Sequence, residues 1–110
     1  MLISTDVWIG ALIRRAQLSG AFATVARKGD ARAGAVLVRL YNPLTRQAQL
    51  YAQALQGEGE RVWMQPLPGA TESDLDAYVQ RQAGYDPDIW VVEIEDREDR
   101  HFLTEKVQSA

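Results

Sequence analysis

Tyr85-Asp86-Pro87-Asp88-Ile89-Trp90-Val91-Val92-Glu93-Ile94-Glu95-Asp96-Arg97 decides how the rest of this chain is organised. It opens with the turn signal Asp-Pro-Asp, continues as an apolar, β-rich run and ends in dense charge. Strand alternation puts Trp90, Val92 and Ile94 on one face and Ile89, Val91, Glu93 and Glu95 on the other. The first half is apolar on both faces, as in a strand with neighbours on either side. The second half sets Glu93 and Glu95 about 7 Å apart on one face, from the rise per residue of a strand. Asp96-Arg97-Glu98-Asp99-Arg100 then forms a charged turn. His101-Phe102-Leu103 is expected to return as a short edge strand, and Thr104 to Ala110 as a frayed tail.

Upstream, Asp6 to Leu18 predicts a helix with Thr5 as N-cap and Gly20 as its stop. Trp8, Ile9, Leu12, Ile13 and Ala16 make its apolar stripe, and Arg14 and Arg15 lie toward its wetter side. Ala21 to Arg27 is a short strand, with Phe22, Thr24 and Ala26 on one face and Ala23 and Val25 on the other. Lys28-Gly29-Asp30-Ala31-Arg32-Ala33-Gly34 follows as a hairpin loop. It lacks GxxxxGK[ST] and a following helix, so it is no phosphate-binding loop. Ala35 to Tyr41 and Gln47 to Ala54 alternate as strands around the Asn42-Pro43-Leu44-Thr45 turn. Gln56-Gly57-Glu58-Gly59-Glu60 connects to a fourth strand, Arg61 to Gln65, which carries Trp63. That indole is either an exposed contact or satellite core. Pro66 to Ala70 breaks the strand. Thr71-Glu72-Ser73-Asp74 caps a second helix bearing Leu75, Tyr78, Val79 and Gln82 on one face, and Ala83-Gly84 ends it.

The expected fold is α+β: a mostly antiparallel sheet of about five short strands, with both helices packed on one face. Sequential hairpins favour a meander. The second helix crosses over to bring the last strand inside the sheet. The whole of 1–110 is expected to be one domain, since 110 residues can bury a core unaided.

Bulk chemistry narrows the function. The 46% hydrophobic and 25% charged fractions fit a globular chain. The chain contains no cysteine, which excludes disulfides, thiolate metal sites and cysteine nucleophiles. The N-terminal stretch lacks the basic and apolar regions of a signal peptide, and no run approaches the ~18 apolar residues of a membrane span. A cytoplasmic location without membrane partners is the expectation. A net charge of −3 speaks against nucleic acid as a partner. Only Arg27, Lys28 and Arg32 would offer it a local basic patch.

Glu93, Glu95, Asp96, Glu98, Asp99 and His101 form the most suggestive constellation. Carboxylates beside a histidine suit divalent metals or acid–base work. However, Arg97 and Arg100 interleave with them, and alternating signs in a turn mark a solvated, self-neutralising surface. No ligand spacing is diagnostic. No serine sits in a G-x-S-x-G elbow, and no dinucleotide fingerprint is present. No cofactor is expected.

Several segments together resemble a known family: Trp8, Ala11-Leu12-Ile13-Arg14-Arg15, Gly20 to Val25, Lys28-Gly29-Asp30, Gly34 to Leu37, and Asp86 to Arg97. The chain is similar to the bacterial domain-of-unknown-function family numbered 1491. The resemblance spans nearly the whole chain and is loosest over Asn42 to Ala70. It implies a small intracellular bacterial protein. It also leads one to expect glycine in the last turn, where this chain has Glu98-Asp99. It brings no activity, substrate or catalytic residue with it.

The leading expectation is therefore a non-enzymatic interaction module whose partner is another protein or a second copy. Trp63, Arg14, Arg15, Glu93, Glu95 and Asp96 are its candidate contacts. The alternative is a small metal-binding protein or metal-dependent hydrolase using Glu93, Glu95, Asp96 and His101.

Overall fold

The computed structural model describes residues 3–56 and 60–108. In chain order the elements are α1 (Thr5–Leu18), β1 (Phe22–Arg27), β2 (Val36–Asn42), β3 (Gln47–Gln56), β4 (Glu60–Met64), α2 (Glu72–Tyr85) and β5 (Trp90–Glu95). The five strands form one sheet in the order β1-β5-β2-β3-β4. The fold is α+β, and the sheet is mixed. β1–β5, β2–β3 and β3–β4 are antiparallel, whereas β5 runs parallel to β2. The last strand is thus interior, as its apolar first half requires.

Two expectations are corrected here. β1 and β2 do not make a hairpin, because β5 lies between them; only β2-β3-β4 is a meander. And the helices do not share a face. Trp8, Ile9, Leu12 and Ala16 of α1 pack on Val36, Val38, Leu40, Trp90, Val92 and Ile94. Leu75 of α2, with Tyr78 and Val79, packs on Leu37, Leu50, Ile89 and Val91. A strand that is apolar on both faces needs a cover on both, and one helix supplies each. Burial of side chains such as Leu12, Leu40 and Val92 contributes about 1.5–3 kcal/mol apiece.

The helix starts differ in detail. Thr5 belongs to α1, and Ser4 stands at the N-cap without a side-chain hydrogen bond. The Thr5 hydroxyl instead donates toward the Gly34 carbonyl at 3.1 Å, while the Thr5 and Asp6 amides donate to the Arg32 and Ala31 carbonyls. The 28–34 loop therefore does the capping that Thr5 was expected to do. Thr71 is the N-cap of α2, and its hydroxyl accepts from the Asp74 amide at 3.2 Å.

The 28–34 loop is pressed against the turn before β5. Trp90 Nε1 donates to the Asp30 carbonyl at 2.7 Å, and the Asp30 amide donates to the Asp88 carbonyl at 2.9 Å. A Cβ on Gly29 or Gly34 would run into the Asp88 backbone.

The C-terminal segment is neither an edge strand nor, over Thr104 to Gln108, a loose end. His101 to Leu103 follow an irregular path. The Trp63 amide donates to the Lys106 carbonyl at 2.8 Å, and the Gln108 amide donates to the Trp63 carbonyl at 2.7 Å. The segment thereby covers the outer side of β4. The Gly57-Glu58-Gly59 connection and Ser109-Ala110 lie outside the described residues.

Candidate interaction surface

The strand registers set out side chains in rows across the face shared with α2. One row runs Phe22–Glu95–Tyr41 and the next Thr24–Glu93–Arg39. α2 shields the β3 side of this face, so the rows nearer β1 stay open and line a cleft of about 300 Å³. Arg39 reaches across to three carboxylates: Asp76 and Glu72 of α2, the latter at 3.3 Å, and Glu93 at 3.8 Å. These partners are exposed, so the attraction is screened and contributes specificity more than stability. A second cleft, about 520 Å³, continues past Phe22 and Glu95 to Gly20, Asp96 and Glu98.

β1 forms the outer edge of this region. Among the described residues the only partner strand of β1 is β5. Phe22 is 64% exposed and Val25 41% exposed, and the run Phe22 to Ala26 carries no charge and no proline. A register shift between Val25 and Arg27 marks a bulge at the far end. Natural sheets usually blunt such an edge with charge, proline or a covering segment. The opposite edge, β4, has its covering segment; among the described residues β1 has only the bulge.

The residues singled out from sequence are distributed over the molecule. Trp63 is 0% exposed and belongs to the core. Its ring stacks on Trp8, and its Nε1 donates to Glu105 at 3.1 Å. Trp8 Nε1 donates to the other oxygen of the same carboxylate at 3.0 Å. Burial pushes the Glu105 carboxyl up, but hydrogen bonds from the two indoles, its own backbone amide and Thr104 together hold its pKa below the ordinary value.

Arg14 is exposed on α1. Arg15 donates through Nη2 to the Phe102 carbonyl at 2.9 Å, so it anchors the C-terminal segment. Asp96 is 5% exposed and accepts from the Arg100 amide at 2.8 Å and from its Nε at 2.9 Å. The Arg100 side-chain hydrogen bond holds the Asp96 carboxyl below the usual range. Arg100 Nη2 also donates to the Ser19 carbonyl at 3.1 Å, beneath the C-terminus of α1, where a cation is favoured.

His101 lies on the other side of the sheet from Glu93. It sits edge-on to Tyr51 and accepts at Nδ1 from the Leu103 amide. Burial lowers its pKa. Among the described residues no group of three or more His, Asp or Glu side chains is placed to hold a metal. Glu93 and Glu95 alone of the expected contacts share an open surface, and sequence reasoning missed their neighbours Phe22 and Thr24. The uncharged alternation of β1 was the signal; that β1 is an edge depends on where β5 inserts.

Fold and site define a small α+β protein built on a mixed five-stranded sheet with one helix on each face. The comparisons place it more narrowly. Residues 3–104 match the family described as "Protein of unknown function (DUF1491)", and the chain belongs to that family. A crystal structure of a DUF1491 family protein from Caulobacter crescentus CB15 superposes with a TM-score of 0.93 at 64% identity. The match covers 97% of this chain and all (100%) of that one. An NMR structure of a family protein from the same organism gives 0.93 at 65% identity, covering 99% of each chain. A solution structure of a protein from A. tumefaciens gives 0.83 at 33% identity, over 99% of this chain and 98% of that one. No curated protein matches the chain. Among the described residues no helix is long and apolar enough to cross a membrane.

Proposed function

We propose that this chain is a non-enzymatic protein-interaction module of the bacterial cytosol, and that it engages its partner along β1 and the adjoining charged rows. The observation that carries this is the contrast between the two sheet edges. One is covered by the chain's own C-terminal segment; the other exposes a strand uncharged from Phe22 to Ala26, beside Glu93 and Glu95. An edge strand supplies main-chain hydrogen bonds to an added strand, and the side chains flanking it choose which strand is added.

The metal-dependent alternative is not favoured. Three of its four residues are drawn to different partners: Glu93 to Arg39, Asp96 to Arg100, and His101 to Tyr51 on the opposite side of the sheet.

The test is in-cell crosslinking of wild type beside a Phe22→Ser/Glu93→Ala/Glu95→Ala variant of unchanged circular dichroism. The proposal expects a crosslinked protein that the variant fails to capture. The same products from both chains would refute it.

A further inference from the structure

Two neighbouring clefts on the face shared with α2 make one groove. The cleft of about 300 Å³ lined by Phe22, Tyr41, Glu72 and Glu95 has a companion of about 230 Å³ lined by Ala26, Val79, Ala83 and Val91, and Arg39 and Glu93 line both. β5 gives the groove its floor, α2 one wall and β1 the other. We propose that the groove holds an extended segment of a partner protein, with an arginine side chain on Glu95 and an apolar side chain four positions away against Val91. This rests on the interaction role above and names the chemistry of the partner.

Glu95 selects the arginine. The strand registers place it between Phe22 of β1 and Tyr41 of β2, and both rings line the cleft with it. Glu95 is exposed, and among the described residues it has no ion-pair or hydrogen-bond partner. Arg39 is already divided among Asp76, Glu72 and Glu93. Arg97 lines the next cleft beside Glu95 but is not paired with it. A carboxylate without a cation, set between two aromatic rings, suits a guanidinium. Its planar fork donates to both carboxylate oxygens while its face lies against a ring. An ammonium would meet the charge but not the plane.

The other half of the groove selects an apolar side chain. Val91 stands four positions before Glu95 on β5 and on the same face, which sets the two about 13 Å apart. Val79 and Ala83 of α2 and Ala26 of β1 close around it. Arg27 also lines this half, with its Nη2 committed to the Pro87 carbonyl. In an extended segment, side chains at i and i+4 point to one side and repeat the same spacing of about 13 Å. A helical segment would hold them only about 6 Å apart along its axis and could not reach both halves.

The test is an NMR titration of the nitrogen-15-labelled full chain with three acetylated, amidated peptides. The first is Arg-Ser-Gly-Ser-Leu. The second has glutamate in place of arginine. The third lacks one serine, so its arginine and leucine point to opposite sides. The first peptide is expected to give saturable shifts along β1, β5 and α2, weaker in high salt. The second should give none, and the third should bind more weakly. Glu95→Gln should weaken the first peptide about 5-fold, the upper end for an exposed ion pair, and remove most of the salt dependence. Ala83→Gln should weaken it by filling the apolar half. The unliganded spectra of both variants check that the fold is kept.

The absence of saturable shifts with the first peptide at several millimolar overturns the proposal. Equal binding of the glutamate peptide, or indifference to Glu95→Gln, overturns it too. The broader role is judged separately by the crosslinking test: a partner captured there without any binding of the first peptide spares the role and refutes this occupant of the groove.

Discussion

The indole rings of Trp8 and Trp63 stack with centroids 5.4 Å apart and 24° between their planes, and both N–H groups end on the carboxylate of Glu105. Three segments far apart in sequence meet at this point: the start of α1, the covered edge strand β4, and the C-terminal segment. Two donors that would otherwise lack partners share one anion, and that anion holds the C-terminal segment over β4.

Glu105→Ala should therefore destabilise the fold by about 3 kcal/mol, since it strips the acceptor from two shielded donors. Glu105→Gln keeps one oxygen acceptor and should cost about half as much. Urea denaturation followed by tryptophan emission measures both. In Glu105→Ala the native emission should also shift to the red as the C-terminal segment loosens over Trp63. Equal stability for all three chains would remove the clamp from the account.

Acid should weaken the fold in two stages. Below about pH 6.5 the unfolded chain takes up a proton on its histidine, whereas burial of His101 resists it. More protons are bound in the unfolded state, so stability drops as pH falls, and the drop levels off below the folded-state pKa. Glu105 and Asp96 have folded-state values below their ordinary 4.5 and 3.8. Their contribution is complete above those ordinary values and is lost as pH falls through the depressed ones. His101→Gln should flatten the upper stage and Glu105→Gln the lower, in unfolding free energies measured from pH 8 to pH 3.

Asp96 and Arg100 should behave as one unit. Replacing either by alanine should lower the melting temperature clearly, because Asp96 is enclosed and Arg100 also holds the Ser19 carbonyl. The double variant should cost less than the sum of the two single ones, which a double-mutant cycle reads directly. Strict additivity would mean the pair is not coupled.

Glycines of one composition class should respond in opposite directions. Gly29→Ala drives a methyl group into the Asp88 backbone and should cost about 3 kcal/mol. Gly10, in α1, has nothing within 4 Å of a new Cβ, and Gly10→Ala should stabilise by about 0.5–1 kcal/mol through helix propensity. Thermal unfolding of the two variants side by side checks the sign of each.

The last turn shows how a sequence expectation and a structure can agree on a conformation while differing on the residue. Glycine was expected near Glu98-Asp99. Asp99 has φ +58°, the left-handed region that favours glycine and that aspartate tolerates better than most. Trp63 shows the opposite case. Its neighbours in sequence, Arg61 and Gln65, left exposure open. Its burial comes from Trp8 and Glu105, 55 and 42 positions away, which no local pattern could supply.

By itself the sequence determined the elements and the faces of the strands. Periodicities of 2 and 3.6 are local properties, and residues adjacent in the chain express them. It determined that 89–95 is interior, because apolar side chains on both faces demand two covers. It also determined the family, through Trp8, the Lys28-Gly29-Asp30 turn and the Asp86 to Arg97 run. Only the tertiary structure decided that β5 inserts between β1 and β2, that the helices take opposite faces, and that the C-terminal segment covers β4. These choices set β1 free, gathered Phe22, Thr24, Glu93 and Glu95 on one open surface, and parted His101 from the carboxylates. Several strand orders satisfy the same alternation; the energy that selects among them lies in contacts between distant residues, and it exists only once the sheet is assembled.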